Sequence, residues 1–551
     1  MNKKLRIGIL TDGDSIASWS YKMIEAIKKS EHSEVVLIVK NSKSSNEKKS
    51  LLSKIWSNRR DVLWILYTKL ESKIFKLNPD AFALKNLKDL IDCDEITVKP
   101  KETKFSDYII PEDVNDIKSY DVDVFIRLGF RILRGEILKA SKYGIWSFHH
   151  GDNSVNRGGP AGAWEVFEGW DETGVTLQIL SENLDGGTIL AKSYSSTDKV
   201  SVKRNKNNYY WKALSMLPRK LNELHTQGEA LFFKNLNQNN ITEFYYNRIF
   251  IKPTNREVFS AFRKSYSRKI LNSIKSKFYF NQWILLFKLE KQNKWSKSFF
   301  RFKRITPPKD RFWADPFVIE KNDKYFIFIE ELVYKEGKGK ISVIEMDQKG
   351  NYKTPEVIIE KNYHLSYPFI FEENDVLYMI PETSGNRTIE LYKCVDFPMK
   401  WELEKVLLED LYAVDSTVLK HNNKYWLFCN IKENEGASSL DELFLFYSDN
   451  LLSNDWQSHP CNPIISDVRQ SRPAGHIFIE NNKLYRPSQN SGKSYGHGMK
   501  INEIVELTTK SYREETVQSI YPNWSKDLLC IHTLNNCKKL TVIDALIRRR
   551  K

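Results

Sequence analysis

Two absences narrow the field first. The six cysteines, at 93, 394, 429, 461, 530 and 537, form no CxxC pair. That argues against a zinc site or a disulfide framework and for free thiols in a reducing compartment. No run of 18 or more apolar residues occurs, so no membrane-spanning helix is expected. The apolar run Ile7-Gly8-Ile9-Leu10 after Lys3-Lys4 is too short for a signal peptide and has no small-residue cleavage site. The expected compartment is the cytoplasm. No glycine-rich RNA-binding signature or zinc finger is present either, and no nucleic-acid partner is expected.

What is present fits ordinary globular domains: 551 residues, 41% hydrophobic and 28% charged. That length exceeds one core and implies two or three domains. The net charge of +15 suits an anionic partner such as a nucleotide-linked sugar, a lipid phosphate or a membrane surface, although a solvated Lys-rich surface carries the same charge.

Three regions differ in texture. Residues 1–245 mix strand and helix signals, 246–300 are basic and aromatic, and 301–551 are rich in short strands. The opening reads as a βαβ unit. Arg6–Leu10 is an apolar strand, Thr11–Ser15 a turn, and Ser18–Lys29 a helix spaced by Trp19, Met23, Ile24 and Ile27. Val35–Val39 is a second strand. Val122–Leu128, closed by Gly129, and Gly144–Phe148 continue the series. Uninterrupted apolar strands alternating with helices predict an α/β doubly wound parallel sheet covered on both faces. Such sheets place their chemistry beyond the carboxyl ends of the strands.

Beyond Phe148 come His149-His150-Gly151-Asp152-Asn153, then Arg157-Gly158, Glu172-Thr173-Gly174-Val175-Thr176 and Leu184-Asp185-Gly186-Gly187. A His at a strand end and an Asp in a Gly-rich turn form an acid/base pair once the sheet brings them together. Taken singly, either is more often a satisfied surface residue. The two adjacent histidines lack the further Cys or His spacing of a metal site, and no metal is expected.

The combined pattern resembles the folate-dependent formyltransferases, a family that includes the methionyl-tRNA, glycinamide ribonucleotide and sugar N-formyltransferases. The resemblance covers roughly residues 4–200 and takes in Phe125–Phe130. It implies a formyltransferase-like Rossmann variant using 10-formyltetrahydrofolate. It also implies that His149, Asp185 and Ser147 are catalytic, with Leu128, Gly129, Phe130, Leu180 and Leu184 beside the pterin. The family's Asn-x-His is Ser147-x-His149 here. In the family that amide polarises the formyl oxygen, and loss of one such donor costs about 2.7–4 kcal/mol. His150 or Asn153 is the expected substitute donor, and with Arg157 they are expected to face the substrate.

The basic stretch carries Arg263, Lys264, Lys275, Lys277, Lys288 and Lys291 among Phe278, Tyr279, Phe280, Trp283 and Phe287. It reads as a linker with a solvated Lys face. The sharper alternative is a surface for an anionic membrane, which would bring the protein to the inner membrane face.

The last region repeats. Asn322-Asp323, Asn374-Asp375, Asn422-Asn423, Asn481-Asn482 and Asn535-Asn536 each sit between strand signals, in steps of 52, 48, 59 and 54. Asn tolerates the positive φ of tight hairpin turns. A repeat of about 50 residues with several strands predicts a β-propeller blade, and five repeats predict five blades. Asp315, Tyr367 and Asp415 each stand seven residues before a turn. With Arg472, His532 and Glu382 they are expected to line one polar pocket, and Glu331, Gln489 and His497 are further candidates. Arg311–Phe317, Ser366–Phe369, Pro381–Thr383 and His532-Thr533 resemble the arabinanase-like glycosidases and the propeller domain of plant glucosamine inositolphosphorylceramide transferases. Glycoside hydrolysis needs two correctly placed carboxyls, and Arg472 stands where an acid would be expected. This half therefore reads as carbohydrate-binding.

Together these readings predict formyl transfer to the amine of a nucleotide- or lipid-linked amino sugar in surface-polysaccharide synthesis. The alternatives are a bifunctional enzyme with a glycosidase- or glycosyltransferase-type propeller, and a glycan-binding scaffold with a degenerate formyltransferase half. The oligomeric state is not readable from the sequence.

Overall fold

The computed structural model describes residues 3–42, 59–239, 245–292 and 294–551. The chain divides into two compact units, residues 1–267 with 434–438, and residues 268–433 with 439–551.

The first unit is built on one seven-stranded sheet. Its strands are β1 (Leu5–Thr11), β2 (Ser33–Asn41), β3 (Asp94–Val98), β4 (Val124–Arg127), β5 (Ile145–His149), β6 (Glu172–Ile179) and β7 (Thr188–Ser196), in the order β7-β6-β5-β4-β1-β2-β3. The five strands from β3 to β5 are parallel, and β6 and β7 add antiparallel at the β5 edge. The buried strands carry side chains to both faces, as a covered parallel sheet requires. On one face Trp146 and Phe148 of β5 pack with Trp19, Met23 and Ile27 of helix α1 (Ser18–Lys29) and with Tyr209–Trp211 of helix α2 (Val202–Ala213). On the other, Ile145 of β5 packs with Leu10, Leu37, Val39, Val98 and Phe125. Side chains alternate along a strand, so Ser147 and His149 share the face of Ile145 and lie at its open, C-terminal end.

Strand β1 passes into the turn Thr11–Ser15, and β4 ends in the turn Leu128–Phe130. The two turns are in close contact. Leu128 and Gly129 both donate their N–H groups to the Leu10 carbonyl at 2.9 Å. A Cβ at Gly129 would lie 2.3 Å from the Asp12 nitrogen, so no side chain fits there. Asp12 Oδ1 accepts from the Phe130 N–H at 2.9 Å and holds that residue at φ 62°.

The second unit contains five antiparallel sheets. Four are consecutive in the chain, beginning with Arg311–Lys321, Ser366–Glu373, Ala413–His421 and Phe478–Glu480. The remaining sheet joins Tyr279–Leu289 to Leu540–Arg550 along eleven paired residues, from Tyr279 opposite Arg550 to Leu289 opposite Leu540. Residues 246–300, set apart in the sequence as a basic linker, thus hold the helix Asn255–Phe278 and a strand of this last sheet. Apolar cores join the sheets in turn. Leu285, Phe287 and Val542 pack with Tyr325 and Ile327. Phe317 packs with Phe369 and Leu427, and Phe428 with Leu484. Met499 and Ile501 pack with Ile284 and Ile543. Each fully buried aliphatic or aromatic side chain of this kind contributes about 1.5–3 kcal/mol.

The four Asn-led turns have the expected geometry. Asn322 and Asp323, Asn374 and Asp375, Asn422 and Asn423, and Asn481 and Asn482 all have φ between 51° and 63°. Positive φ at both central residues is the hairpin turn whose twist matches its strands. The fifth turn is a correction. Asn535 and Asn536 lie inside the strand Leu534–Cys537, and the residue with positive φ is Lys538, at 49°. Asn535 is instead a buried clamp. Its Oδ1 accepts from the His476 N–H at 2.9 Å and its Nδ2 donates to the Pro316 carbonyl at 2.7 Å.

Candidate active site

Strand β5 delivers His149 to the C-terminal end of the sheet, where the residue is 7% exposed. Asp185 lies in the turn between β6 and β7 at φ 50°. This brings His149 Nδ1 within 3.3 Å of Asp185 Oδ1. The following Gly187 permits the turn, since a Cβ there would lie 1.9 Å from the Ile179 carbonyl oxygen. The other carboxylate oxygen of Asp185 accepts from the Gly158 N–H at 3.0 Å, which fixes the role of the Arg157-Gly158 pair. His149 Nε2 lies 2.6 Å from the Asn156 carbonyl oxygen, a contact that requires a proton on Nε2. Asn156 in turn donates to Glu165 at 3.0 Å.

Burial alone would depress the His149 pKa, but the hydrogen bond and charge of Asp185 outweigh it and the pKa is raised. Burial pushes Asp185 the other way, and the bond to His149, with the Gly158 N–H and the Arg127 charge, leaves it lowered. The pair therefore favours imidazolium and carboxylate. Glu165, buried beyond Asn156, is shifted up by desolvation.

The remaining expected residues divide. Asn153 is at the site, with its Nδ2 donating to the Asp185 carbonyl at 3.2 Å and its Oδ1 buried without a partner. Arg157 donates from Nε to the Asn153 carbonyl at 2.8 Å, and its guanidinium lies over the Tyr245 ring at 4.5 Å. Leu128, Leu180 and Leu184 are half-buried. Phe130 offers only its backbone, because its ring is part of the core. His150, expected to face the substrate, points to the opposite face of the sheet. Its ring stacks on Tyr210 at 3.7 Å and lies edge-on to Trp19 at 5.4 Å. Burial and the neighbouring His149 charge lower its pKa well below the usual value. The one-residue alternation of a strand separates the two histidines. Ser147 is buried and accepts at Oγ from Arg127 Nη1 at 3.1 Å. Arg127 lies within the Phe125–Phe130 stretch of the resemblance without a role of its own there, and its contact with Ser147 arises from the register that pairs the two.

The second unit gathers a different constellation. Asp315, Tyr367 and Asp415 occupy equivalent bulges near the starts of three sheets, with φ of 50°, 45° and 51°. Such backbone is costly for a bulky residue, and Tyr367 is held in it by packing and hydrogen bonds. Its hydroxyl accepts from the Gly475 N–H at 2.8 Å. His532 Nδ1 lies 2.6 Å from Asp544 Oδ2 and Nε2 lies 3.4 Å from Asp315 Oδ1. Arg472 pairs with Asp415 at 2.5 Å and lies 3.6 Å from Glu382. Trp283 stacks on His532 at 4.2 Å, and Tyr495, 42% exposed, meets the same ring edge-on.

Burial, with the Glu330, Asp415 and Asp544 charges, pushes Asp315 up to about 8 against the pull of His532. Burial and Asp415 raise Glu382 to about 7. Burial opposes the charge on His532, yet Asp544 and Asp315 raise it to about 9. Asp315, His532 and Asp544 bring three ligand-type atoms within 4.8 Å of one another. However, both ring nitrogens already face carboxylates, and Asp544 accepts from the N–H groups of Asp315, His532 and Thr533. His532 thus lies between the Asp315 and Asp544 carboxylates. Glu331 is satisfied structurally by Arg311, Trp313 and Ser342.

An α/β unit with a buried His–Asp pair at a strand end, followed by antiparallel sheets around acidic side chains, defines the class. The comparisons follow this division. Residues 304–532 match the family described as glucosamine inositolphosphorylceramide transferase 1, N-terminal. Glucosamine inositolphosphorylceramide transferase 1 of Oryza sativa subsp. japonica is 34% identical over 209 residues, which are 37% of this chain and 28% of that protein. The chain thus spans about a quarter of the length of these curated relatives. A methionyl-tRNA formyltransferase of Prochlorococcus marinus is 39% identical over 75 residues, 13% of this chain and 22% of its own. Among solved structures, the α-L-arabinofuranosidase of Podospora anserina aligns over 44% of this chain and 94% of its own, at 11% identity and a TM-score of 0.34. Among the described residues no helix is long and apolar enough to cross a membrane.

Proposed function

We propose that the first unit transfers a formyl group from 10-formyltetrahydrofolate to the amine of an amino sugar. The observation that carries this reading is the 3.3 Å contact of His149 with Asp185 at a strand end, with the other Asp185 oxygen held by Gly158. The residues around it fit a flat heterocycle with hydrogen-bonding edges. Leu128, Leu180 and Leu184 supply half-buried apolar surface, and the unpartnered Asn153 Oδ1 supplies an acceptor. When bound, the folate supplies an electrophilic formyl carbon. Asp185, kept ionised, draws the proton that the acceptor amine sheds and passes it on toward the carrier nitrogen, while the His149 Nδ1–H donates to the same carboxylate and holds it in place. The Asn156 carbonyl fixes the imidazole so that Nδ1 faces Asp185. Proton transfer by such a pair contributes about 10²- to 10⁴-fold.

We read the five sheets of the second unit as the blades of a propeller that binds carbohydrate. Trp283 and Tyr495 offer aromatic surface beside polar groups, the usual composition of a small-molecule site. The surplus of cationic residues suits an acceptor bearing phosphate, either nucleotide- or lipid-linked, and suits attachment at an anionic membrane face. The decisive experiment incubates the protein with 10-formyltetrahydrofolate and a panel of amino-sugar nucleotides. Product mass should rise by one CO, and His149→Ala should abolish the gain. Folate binding without transfer to any amine would reject the reading.

A second reading follows from Asp315 and Glu382, whose pKa values of about 8 and 7 suit a general acid. In that reading the propeller also cleaves or transfers a glycosyl unit. An activity lost in Asp315→Asn but kept in His149→Ala would establish it.

A further inference from the structure

If formyl transfer is the reaction, negative charge develops on the formyl oxygen, and the site must offer a donor for it. The transfer makes one N–C bond to the acceptor amine and breaks the C–N bond to the carrier. It moves one proton from the amine to the carrier nitrogen, so the charge on oxygen is transient. Of the donors expected from the sequence, His149 and His150 are committed elsewhere, and Asn153 keeps one amide N–H beyond its bond to the Asp185 carbonyl. Both nitrogens of His149 are engaged, by the Asn156 carbonyl and by Asp185. The His150 ring is in the core on the opposite face. One N–H of Asn153 goes to the Asp185 carbonyl, and Ser147 Oγ lies 3.5 Å from the Phe148 carbonyl.

Arg127 is placed differently. It is the Cα partner of Ser147 across the parallel pair β4–β5, and by strand alternation it shares the face of Ser147 and His149. Its guanidinium has five N–H groups in a fixed fork. Nε donates to the Arg131 carbonyl at 3.2 Å, and Nη2 to the carbonyls of Phe130 and Arg131 at 3.1 and 2.8 Å. Nη1 spends one N–H on Ser147 Oγ at 3.1 Å. One Nη1–H remains. Among the described residues no carboxylate lies within ion-pair distance of this guanidinium, while the charge of Asp185 acts on it through space. The fork is thus anchored by the carbonyls of Phe130 and Arg131 and by Ser147 Oγ, on a side chain that shares the sheet face of His149.

We propose that Arg127 is a catalytic residue of this reaction, and that its remaining Nη1–H donates to the formyl oxygen as charge develops there. Ser147 sets the fork and leaves room for it, so a guanidinium does the work that a carboxamide at position 147 would otherwise do. The proposal rests on the formyl-transfer reading. A charged donor already in place costs no reorganisation during reaction, and losing one such donor costs about 10²–10³ in kcat.

The experiment uses the full chain and an amine that the wild-type protein formylates. Arg127→Ala should lower kcat by about 10²–10³ while binding of the reduced folate, followed by fluorescence titration, changes little. Added guanidinium should restore part of the lost rate to Arg127→Ala and nothing to Asp185→Asn, as expected for a missing donor. The double variant Arg127→Ala/Ser147→Asn should recover part of the rate, because the carboxamide regains its space. Arg127→Gln keeps a neutral donor on a similar stem, covers the case in which truncation disturbs the strand end, and should retain more activity than Arg127→Ala. An unchanged kcat in Arg127→Ala, or a loss confined to folate affinity and overcome at saturation, would overturn the proposal alone. A wild-type protein that formylates no amine would overturn both this and the reading beneath it.

Discussion

The two units handle buried charge in opposite ways. In the first, one imidazole and one carboxylate meet, and each stabilises the charged form of the other, so the His149 pKa is raised and that of Asp185 lowered. In the second, several carboxyls crowd one buried cluster, and Asp315 and Glu382 keep their protons well above the ordinary carboxyl range. The difference teaches that burial alone does not decide a carboxyl's state. What decides it is the balance of donors and like charges around it. Asp185 has a backbone N–H and an imidazole, whereas Glu382 has a serine hydroxyl and an arginine that it shares with Asp415, too little to offset burial and the Asp415 charge.

The contrast can be broken most severely at Asp185. On the proposed reading, Asp185→Asn should cut kcat/KM for formyl transfer by about 10²- to 10⁴-fold with the far-UV circular dichroism unchanged. Asp544→Ala should act on stability instead. It leaves a buried His532 beside Asp315 without its closest partner, at a cost of about 3–5 kcal/mol, read as a lower urea midpoint for the second unit.

The pH response separates the units next. Asp315, Glu382 and His532 all hold their protons more tightly folded than unfolded. Their contribution is full below the unfolded values, which are 3.8, 4.5 and 6.5, and is lost as pH rises through about 8, 7 and 9. Hydrogen exchange on the full chain should show the second unit losing protection steadily between about pH 4 and 9. The first unit should respond at both ends. Asp185 contributes above 3.8 and loses that as pH falls through its lower folded value, while His149 contributes below 6.5 and loses that as pH rises through its raised one. The smallest effect is local. Asn423→Ala, at φ 58°, should cost about 1–2 kcal/mol, and Asn423→Gly should be close to neutral in the same denaturation assay.

These tests also show how much could be read without coordinates. His149, Asp185 and the four Asn-led turns were legible because each depends on short-range chemistry: a strand end, a Gly-rich turn, a residue that accepts positive φ. Asp315, Tyr367 and Asp415 were legible through their constant offset from those turns, and the structure puts all three in equivalent bulges. Arg127 and Asp544 were not, because their roles come from cross-strand register and from residues far along the chain. Asn535-Asn536 misled because an Asn pair serves equally well as a turn or as a buried clamp. His150 misled because adjacent residues of a strand serve opposite faces.

The strand Tyr279–Leu289 has one lasting consequence. Its partner for all eleven residues is Leu540–Arg550, so the earliest strand of the second unit waits for the latest. Until that partner arrives, a long apolar edge stands open, and an open edge can recruit any other extended chain. Removing residues 540–551 should therefore yield self-association rather than a merely shorter protein, and a peptide of that sequence supplied in trans should suppress it.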